Sequence, residues 1–417
     1  MTAPAAPCPL WLQDRFDQSG GSVPFSQFMA WALHDPEHGA YGSGQLKIGK
    51  DGDFVTSATL GPDFSSLLGQ QLVQWLRTLA LNHPEETLSI VEVGPGEAEL
   101  SCDLLDYLAK QLPELIHRLE LVLVEANPGM EKRQRQRLGK HQCSQEILPQ
   151  RWTSLSDLKT NPVIGVVIAH ELLDALPVER LELIDGQLRR QTVRLHQQDD
   201  GDLGLHWGHE PIPPTLHQRI NSTLSATQLE LPPKEAEDGW TTEWHDDCDR
   251  WFAEASEALN AGHLLVIDYA LEAYRYYSAV RRQGTLLAYR NQQASDHVLV
   301  DAGRQDLTAH LCIETMVHQA TSHGWSLEGH CRQGEALLAL GLAERFSSLQ
   351  QLPGNQLAEV LQRREALLRL VDPACLGEFR WLSFLRVNPL FPPSETGERS
   401  QFLQEPSGIS ATKRGRL

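Results

Sequence analysis

The chain has 417 residues, of which 41% are hydrophobic, and its formal net charge at pH 7 is −19. This amount of apolar material can form a sizeable core, which excludes a chain that is disordered throughout. A strongly acidic protein repels phosphate backbones and anionic lipid surfaces, so the composition argues against nucleic-acid binding and against attachment to such membranes.

Three features of the sequence concern location. No stretch approaches the roughly twenty apolar residues of a membrane-spanning helix, so we expect no membrane insertion. Residues 1–16 show neither the pattern of a secretory signal nor the Arg and Ser bias of a transit peptide. The seven cysteines are far apart and form no Cys-x-x-Cys pair, which is typical of thiols in a reducing compartment. Together these features predict a cytoplasmic protein.

The apolar pattern predicts an α/β fold. Residues 1–60 favour a helix followed by glycine-rich loops that cover one edge of the core. Residues 88–93 and 119–125 are typical of buried strands, and an amphipathic helix is expected at 97–112 between them. A strand, a helix and a strand over this length form a βαβ unit with parallel strands and a right-handed crossover.

Later elements are expected to continue this alternation. The predicted elements are a polar helix at 130–141, a strand at 163–168, a short helix at 172–176, a hairpin at 180–184 and 187–195, a helix at 247–260 with a stop at Gly262, a strand at 264–269, a helix at 306–323 and a last strand at 384–387. We therefore expect a covering segment at 1–60, a core at 61–390 with an insertion at about 179–245, and a loose tail at 391–417.

The strongest local motif is the turn that follows the first predicted strand. Gly94 and Gly96 allow a sharp turn and admit a ligand close to the next helix N-terminus. A dinucleotide fingerprint requires a third glycine where this chain has Glu99, and a pyrophosphate would be repelled by Glu97 and Glu99. A cationic cofactor without phosphate, such as S-adenosylmethionine, suits this turn better. A tight turn without a ligand remains the alternative.

A carboxylate follows the next strand of the unit. Glu125 stands where an acid can accept hydrogen bonds from both hydroxyls of a ribose. A solvated acid at the end of a strand is the alternative when this position is considered alone. Combined with the glycine turn, Glu125 favours a nucleoside-containing ligand.

A polar motif comes directly after the strand at 163–168. His170, Glu171 and Asp174 are expected beyond the carboxyl end of that strand, where ligands bind in open α/β sheets. His170 and Asp174 also have the spacing of two metal ligands on a helix, but a third ligand is missing and we predict no metal. A capping cluster at a helix N-terminus is the alternative for Glu171.

The chain resembles the MidA-like family of class I methyltransferases, which includes a mitochondrial complex I assembly methyltransferase. The resemblance extends from about residue 25 to residue 387 and is carried by an ordered series of motifs. These are Gly52-Asp53-Phe54-Val55-Thr56-Ser57, Val91-Glu92-Val93-Gly94-Pro95-Gly96, Val124-Glu125-Ala126-Asn127-Pro128, Glu171-Leu172-Leu173-Asp174-Ala175-Leu176-Pro177, Ile267-Asp268-Tyr269, Gly284-Thr285-Leu286-Leu287-Ala288-Tyr289 and Asp306-Leu307-Thr308-Ala309-His310.

The resemblance implies a Rossmann-like class I methyltransferase sheet with an added substrate lobe, formed by the N-terminal segment and the insertion. It implies S-adenosylmethionine as cofactor and a protein arginine as substrate, in a partner such as a respiratory-complex subunit. We expect the cofactor to be held by Glu92, Gly94, Gly96, Glu125 and His170. The oligomeric state is not predicted.

Three carboxylates are the predicted catalytic residues. Glu171 and Asp174 are expected to hold a guanidinium, which prefers planar pairing to carboxylates, and Asp53 is expected to close over the same place. The chain departs from the family pattern at Ala58-Thr59, Glu97-Ala98-Glu99 and His170. The alternatives are a catalytically weak or inactive assembly factor that binds a partner protein, and a nicotinamide-dependent oxidoreductase.

Overall fold

The computed structural model describes residues 6–49, 52–141, 148–197, 202–386 and 399–405. Its helices are α1 (Leu10–Gln18), α2 (Phe25–His34), α3 (Pro62–Asn82), α4 (Glu99–Gln111), α5 (Pro128–Lys140), α6 (Leu155–Thr160), α7 (Pro214–Thr227), α8 (Asp246–Ala258), α9 (Ala273–Tyr276), α10 (Ile313–Ser322), α11 (Gln333–Ala339), α12 (Leu342–Gln350) and α13 (Leu357–Val371).

Its strands are β1 (Ala6–Pro7), β2 (Ser22–Pro24), β3 (Leu88–Val93), β4 (Leu119–Val124), β5 (Gln150–Thr153), β6 (Val163–His170), β7 (Glu179–Ile184), β8 (Gln187–Gln197), β9 (Leu203–Pro211), β10 (Thr241–Trp244), β11 (Leu259–Asp268), β12 (Ala270–Leu271), β13 (Leu287–Arg290), β14 (Gln293–Ser295), β15 (Asp306–Thr308), β16 (Leu311–Cys312), β17 (Ser326–Arg332) and β18 (Arg380–Arg386). Short 3-10 turns occur at Ala58–Leu60, Ile116–Arg118, Leu173–Ala175, Gly354–Gln356 and Gln401–Leu403.

The central sheet has the strand order β17-β18-β11-β6-β3-β4-β5. The strands from β11 to β5 are parallel, and β18 runs antiparallel to both of its neighbours. After β3 the chain continues to β4 on one side, and after β6 it continues to β11 on the other side. The boundary between β3 and β6 is therefore the switch point of the sheet, where open α/β sheets bind ligands.

Both faces of the central sheet are covered because its strands are apolar on both sides. Along β3, Ile90 packs with the helices α3, α4 and α11–α13, whereas Val91 packs with α6, α8 and α10 on the other face. The burial of successive residues on opposite faces is the period-2 pattern of a strand. The predicted α/β class and parallel βαβ unit are confirmed by this arrangement.

A second sheet joins the N-terminal segment to the predicted insertion. Its order is β1-β9-β8-β7-β10, and β2 also pairs with β8. The turn of the predicted hairpin is Asp185-Gly186, with both residues at positive φ. The polar region 197–238, which the sequence marks only as an insertion, contains β9 and α7. Strands from the N-terminal segment (β1, β2) and from the predicted insertion (β7–β10) therefore share one sheet, separate from the central sheet.

Several predicted elements differ from the structure. The helix expected at 306–323 is wrong at its start, since Asp306–Thr308 forms β15 against β13 and α10 begins at Ile313. Of the short helix expected at 172–176, only Leu173–Ala175 is helical, as a single 3-10 turn. Gly262 does not end a helix but lies within β11. These positions are decided by pairing with distant strands, which local periodicity does not reveal. Residue 387 of the predicted last strand lies outside the described residues.

The described part of the predicted tail is packed rather than loose. Phe402 is 1% exposed and contacts the rings of Trp75 and Trp381. The indole Nε1 of Trp75 donates a hydrogen bond to the Ser400 hydroxyl at 3.1 Å, and Gln71 Oε1 accepts one from the Phe402 amide at 3.1 Å. Residues 399–405 are therefore anchored to the core through Ser400 and Phe402, whereas 391–398 and 406–417 lie outside the described residues. Among the described helices, none is both long and apolar enough to cross a membrane.

Replacing Phe402 should test this packing. We expect Phe402→Ala to lower the free energy of unfolding by about 3–5 kcal/mol, because the ring leaves a cavity against two tryptophans. Leu361→Ala, at a position that is 57% exposed, should change it by less than about 0.5 kcal/mol. Urea denaturation followed by circular dichroism measures both values. Equal stabilities of the two variants would contradict the docking of residues 399–405.

Candidate functional site

The candidate site lies where three parallel strands end at the same level. Val93 of β3 pairs with Val124 of β4 on one side and with Ala169 of β6 on the other. The residues that follow these positions, including Gly94, Glu125 and His170, therefore emerge side by side. This edge is the switch point of the sheet, so the predicted cofactor residues are brought together by strand register alone.

A cavity of about 540 Å³ opens at this edge. Residues of the central sheet, of α8 and of the N-terminal segment all contribute to its wall. The lining includes Ala30, His34, Tyr41, Ile48, Phe54, Thr56, Ala58, Glu92, Gly94, Gly96, Glu97, Glu125, Met130, Leu155, His170, Glu171, Leu172, Asp247, Arg250, Trp251 and Glu254. Its size suits a ligand of nucleoside dimensions.

The glycine turn follows β3 and forms the floor of the cavity. Gly94 and Gly96 have φ values of 64° and 51°, a region that favours glycine. A Cβ on Gly94 would lie 2.6 Å from the Leu172 side chain, and one on Gly96 would lie 3.1 Å from Ile48. The two glycines are therefore required both by the backbone conformation and by the space above the turn.

Glu92 lies behind the turn. Its side chain is buried and accepts a hydrogen bond from the Ser101 hydroxyl of α4. Burial raises the pKa of Glu92 to about 7. A carboxylate in this position, on the wall of the cavity, favours a cationic ligand.

The two acids after the turn are paired, which the sequence did not reveal. Glu97 lies 3.1 Å from Arg133, and Glu99 lies 3.1 Å from Arg137, both on α5. The expected repulsion of a pyrophosphate by Glu97 and Glu99 is therefore wrong, because each acid has a compensating guanidinium. The remaining evidence against a dinucleotide cofactor is that position 99 is Glu99 and not a third glycine.

Glu125 follows β4 and lines the cavity beside the turn. Its Oε1 accepts a hydrogen bond from the Asn127 amide at 2.8 Å, and its Oε2 accepts one from Gln134 Nε2 at 2.7 Å. Gln134 Nε2 also donates to the Gly96 carbonyl at 3.0 Å, so α5 connects the acid to the turn. Burial raises the pKa of Glu125. The assignment of Glu125 to a ribose stays a prediction.

The end of β6 presents His170 and Glu171. His170 packs on Phe64, and its Nε2 lies 3.1 Å from Glu171 Oε1. Glu171 has a φ of 51°, an unusual conformation for a residue other than glycine. Its Oε1 accepts a hydrogen bond from the Ser57 amide at 2.9 Å, which connects it to the N-terminal segment. His170 and Asp174 do not share a helix, so the two-ligand metal geometry is absent.

Asp174 lies behind Glu171 in a cluster of buried carboxylates. Asp268 holds the turn that carries Asp174, since its Oδ2 accepts hydrogen bonds from the amides of residues 172–174 at 2.9–3.3 Å. Burial and then repulsion from Asp268, Asp306 and Glu171 raise the pKa of Asp174 well above its ordinary value. Burial raises the pKa of Asp268 and of Asp306 to about 7.

Tyr41 connects this carboxylate cluster to the cavity. Its hydroxyl donates a hydrogen bond to Asp306 Oδ1 at 3.0 Å, and its ring lines the cavity wall. Within the part of the chain that the structure describes, no lysine or arginine forms an ion pair with Asp174, Asp268 or Asp306. The cluster, consisting of Glu171, Asp174, Asp268 and Asp306, therefore has no lysine or arginine partner among the described residues, and the basic side chain in contact with it is His170, beside Glu171.

Asp53 occupies a different position from the other predicted catalytic residues. Its carboxylate accepts hydrogen bonds from the Lys47 amide at 3.1 Å and from the Asn291 amide at 3.2 Å. It does not line the cavity, whereas the neighbouring Phe54 does. These contacts support a role in holding the N-terminal segment against the β13–β14 hairpin. A direct catalytic role for Asp53 stays a prediction.

Asp306, Tyr41 and Asp268 are site residues that the sequence did not single out. Asp268 and Asp306 occur in the family motifs, which was the only signal available for them. Asp306 was expected on a helix, and only its place in β15 turns it toward Tyr41. Among the described residues, no group of three or more His, Cys, Asp or Glu side chains is arranged to hold a metal ion.

Fold and site together define an α/β protein with a nucleoside-cofactor site at the switch point of its sheet. A family model of S-adenosyl-L-methionine-dependent methyltransferases matches residues 67–331. This range is more than half of the chain, so the protein belongs to that family. It is an S-adenosylmethionine-dependent methyltransferase.

Curated relatives and solved structures agree with this family. The protein arginine methyltransferase NDUFAF7 homolog, mitochondrial, of Drosophila melanogaster is 27% identical over 88% of this chain and 82% of its own length. The protein arginine methyltransferase NDUFAF7, mitochondrial, of Danio rerio is 23% identical over 92% of this chain and 83% of its own length. A crystal structure from Burkholderia thailandensis with bound S-adenosyl-homocysteine is 26% identical, covers 90% of this chain and 91% of its own, and has a TM-score of 0.77.

The comparisons also correct one prediction. The prediction of a cytoplasmic protein is wrong, because the curated relatives are named as mitochondrial. Charge, apolar content and cysteine spacing describe the folded domain, and they do not distinguish one reducing compartment from another. Location depends on signals that cellular receptors read, and these are separate from the physics of the fold.

The residues of the cavity fit S-adenosylmethionine. The glycine turn leaves space that a Cβ on Gly96 would restrict, and the carboxylates Glu92 and Glu125 suit a cation and a pair of ribose hydroxyls. The amino-acid end would be held by the glycine turn and the ribose by Glu125. When bound, the cofactor supplies a methyl group activated by a sulfonium. The individual assignments, including His170, stay predictions.

A substitution in the glycine turn tests the location of the cofactor. We expect Gly96→Val to remove measurable S-adenosylmethionine binding, because a β-branched side chain at positive φ would be forced toward Ile48 and the cavity. Gly186→Val has the same backbone strain in an open hairpin turn and should keep its affinity. Isothermal calorimetry on folded variants measures both. Unchanged binding by Gly96→Val would contradict this location.

Proposed function

We propose that this methyltransferase modifies arginine side chains of a protein substrate. One observation carries the proposal: a cluster of four carboxylates, three of them buried, adjoins the cofactor cavity, and among the described residues none of the four has a lysine or arginine partner. A buried charge of this kind is unfavourable unless it is paired. A substrate guanidinium would supply the missing positive charge.

Methylation of an arginine also requires carboxylates that bind its guanidinium, and this cluster provides them. A guanidinium stays protonated at neutral pH, since its pKa is above about 12, so a simple base does not activate it. Carboxylates that hold the charge on two of its nitrogens leave the third nitrogen free to face the methyl group. Glu171, on the cavity wall, and Asp174, behind it, are the proposed pair. Catalysis is then mainly the alignment of this nitrogen with the methyl carbon and the sulfur.

The acidic composition of the chain supports a basic partner. The net charge of −19 favours approach of a positively charged segment and opposes an acidic one. The curated relatives are named protein arginine methyltransferases, and the family resemblance implies a partner among respiratory-complex subunits. We therefore propose a basic, arginine-containing segment of such a subunit as substrate.

Neutralising the proposed pair should separate binding from chemistry. We expect Glu171→Gln and Asp174→Asn to keep cofactor affinity within about threefold, but to lose more than about tenfold in methyl transfer, because the guanidinium loses a charge-assisted pair. Glu257→Gln, on the outer face of α8, is the matched control and should transfer normally. The assay follows labelled methyl groups into protein and identifies the modified residue by mass spectrometry.

The outcomes of that assay are distinct. Label on lysine or on a small molecule would contradict the arginine proposal. Full transfer by both variants would show that Glu171 and Asp174 only cap their turn. Cofactor and partner binding without any transfer by the wild-type protein would support the non-catalytic assembly factor instead.

The acidic cluster should also make stability depend on pH. Burial raises the pKa of Asp306 to about 7, so its contribution to stability is lost as the pH rises from the ordinary carboxyl pKa through 7. Asp306→Asn cannot ionise, so the difference in Tm between variant and wild type should become more positive from pH 5 to pH 8. The exposed Asp185→Asn is the control and should show a constant difference. Scanning calorimetry at both pH values checks this, and parallel behaviour of the two variants would refute it.

A further inference from the structure

A short strap from the N-terminal segment, residues 43–49, lies against the cofactor side of the site. Gly44 packs on Gly129 at the start of α5, where a Cβ on Gly129 would lie 3.3 Å from the Gly44 backbone. Further along the strap, Leu46 is 4% exposed. Ile48 lines the cavity, and its side chain lies 3.1 Å from the position that a Cβ on Gly96 would occupy. The strap therefore reaches from α5 to the glycine turn.

One side chain of α5 holds the strap in this place. Arg133 Nη1 donates a hydrogen bond to the Gly44 carbonyl at 2.8 Å, and Nη2 donates one to the Leu46 carbonyl at 3.1 Å. The same Nη2 lies 3.1 Å from Glu97 Oε1. A single guanidinium nitrogen thus joins the backbone of the strap to the carboxylate that follows the glycine turn.

We propose that Arg133 is a positioning residue that couples occupancy of the cofactor cavity to docking of the strap. Ile48 and Glu97 both line the cavity, and Arg133 fixes the strap and the turn that carry them. With the strap already ordered, the cofactor meets a complete wall and loses less free energy to ordering. By reciprocity, a bound cofactor holds the strap more firmly.

The neighbouring ion pair provides a matched control. Arg137 is on the same helix, one turn later, and lies 3.1 Å from Glu99, as Arg133 does from Glu97. Among the described residues Arg137 forms no hydrogen bond with the strap. Arg133→Met and Arg137→Met therefore remove the same charge from the same helix, and only the first releases the strap.

Hydrogen exchange of the strap and calorimetry with S-adenosyl-homocysteine test the coupling. The amides of Leu46, Lys47 and Gly49 donate hydrogen bonds to Ala40, Asp53 and Phe54 of the N-terminal segment, so their exchange reports on how well the strap is ordered. In the wild type we expect the ligand to slow their exchange. In Arg133→Met we expect exchange about tenfold faster and ligand affinity about tenfold weaker, because charge-assisted hydrogen bonds are lost. In Arg137→Met the exchange of the strap should equal that of the wild type.

A second variant keeps the test decisive if Arg133→Met is unstable. Lysine retains the charge but not the fork of donors, so Arg133→Lys should give intermediate exchange and affinity. Equal exchange of the strap in all variants would overturn the proposal, as would faster exchange in Arg133→Met with unchanged affinity. The proposal rests on the cofactor and not on the arginine substrate. A wild-type protein that fails to bind the ligand would contradict both the cofactor site and this coupling.

Discussion

The site depends on the register of three parallel strands. Because Val93 pairs with both Val124 and Ala169, the chain leaves β3, β4 and β6 at one level. Backbone hydrogen bonds within the sheet thus place the glycine turn, Glu125 and Glu171 around one cavity. A slip of one residue in either pairing would move these groups apart and turn their side chains to the opposite faces.

Several buried carboxylates lie at the same edge of the sheet, where burial and mutual repulsion disfavour their charged forms. Asp268 compensates for its burial by accepting amide hydrogen bonds that hold the turn carrying Asp174, whereas Asp306 has Tyr41 as its hydrogen-bond donor. Glu171 is held at a positive φ by the strand that precedes it and by the Ser57 amide. Such strain and uncompensated charge reduce stability, and they are typical of sites where a ligand completes the electrostatics.

Local patterns were sufficient for the elements that build the cofactor side. The strands β3 and β4 and the glycine turn follow from apolar periodicity and from glycine spacing within about forty residues. The substrate side depends on contacts over longer distances, such as Tyr41 with Asp306 and Ser57 with Glu171. Asp306 in particular depends on the pairing of β15 with β13, which tertiary structure imposes against a helical pattern. The pairing of Glu97 with Arg133 likewise depends on tertiary structure, so local sequence patterns do not predict it.

A crystal structure with S-adenosyl-homocysteine would test the central claim most directly, namely that one strand edge holds the cofactor beside the carboxylate cluster. We expect the Glu125 carboxylate to accept hydrogen bonds from both ribose hydroxyls. We expect the sulfur to face the wall formed by Glu171 and Tyr41. A ligand bound outside the Gly94–Gly96 turn, or a sulfur directed away from Glu171, would contradict this account.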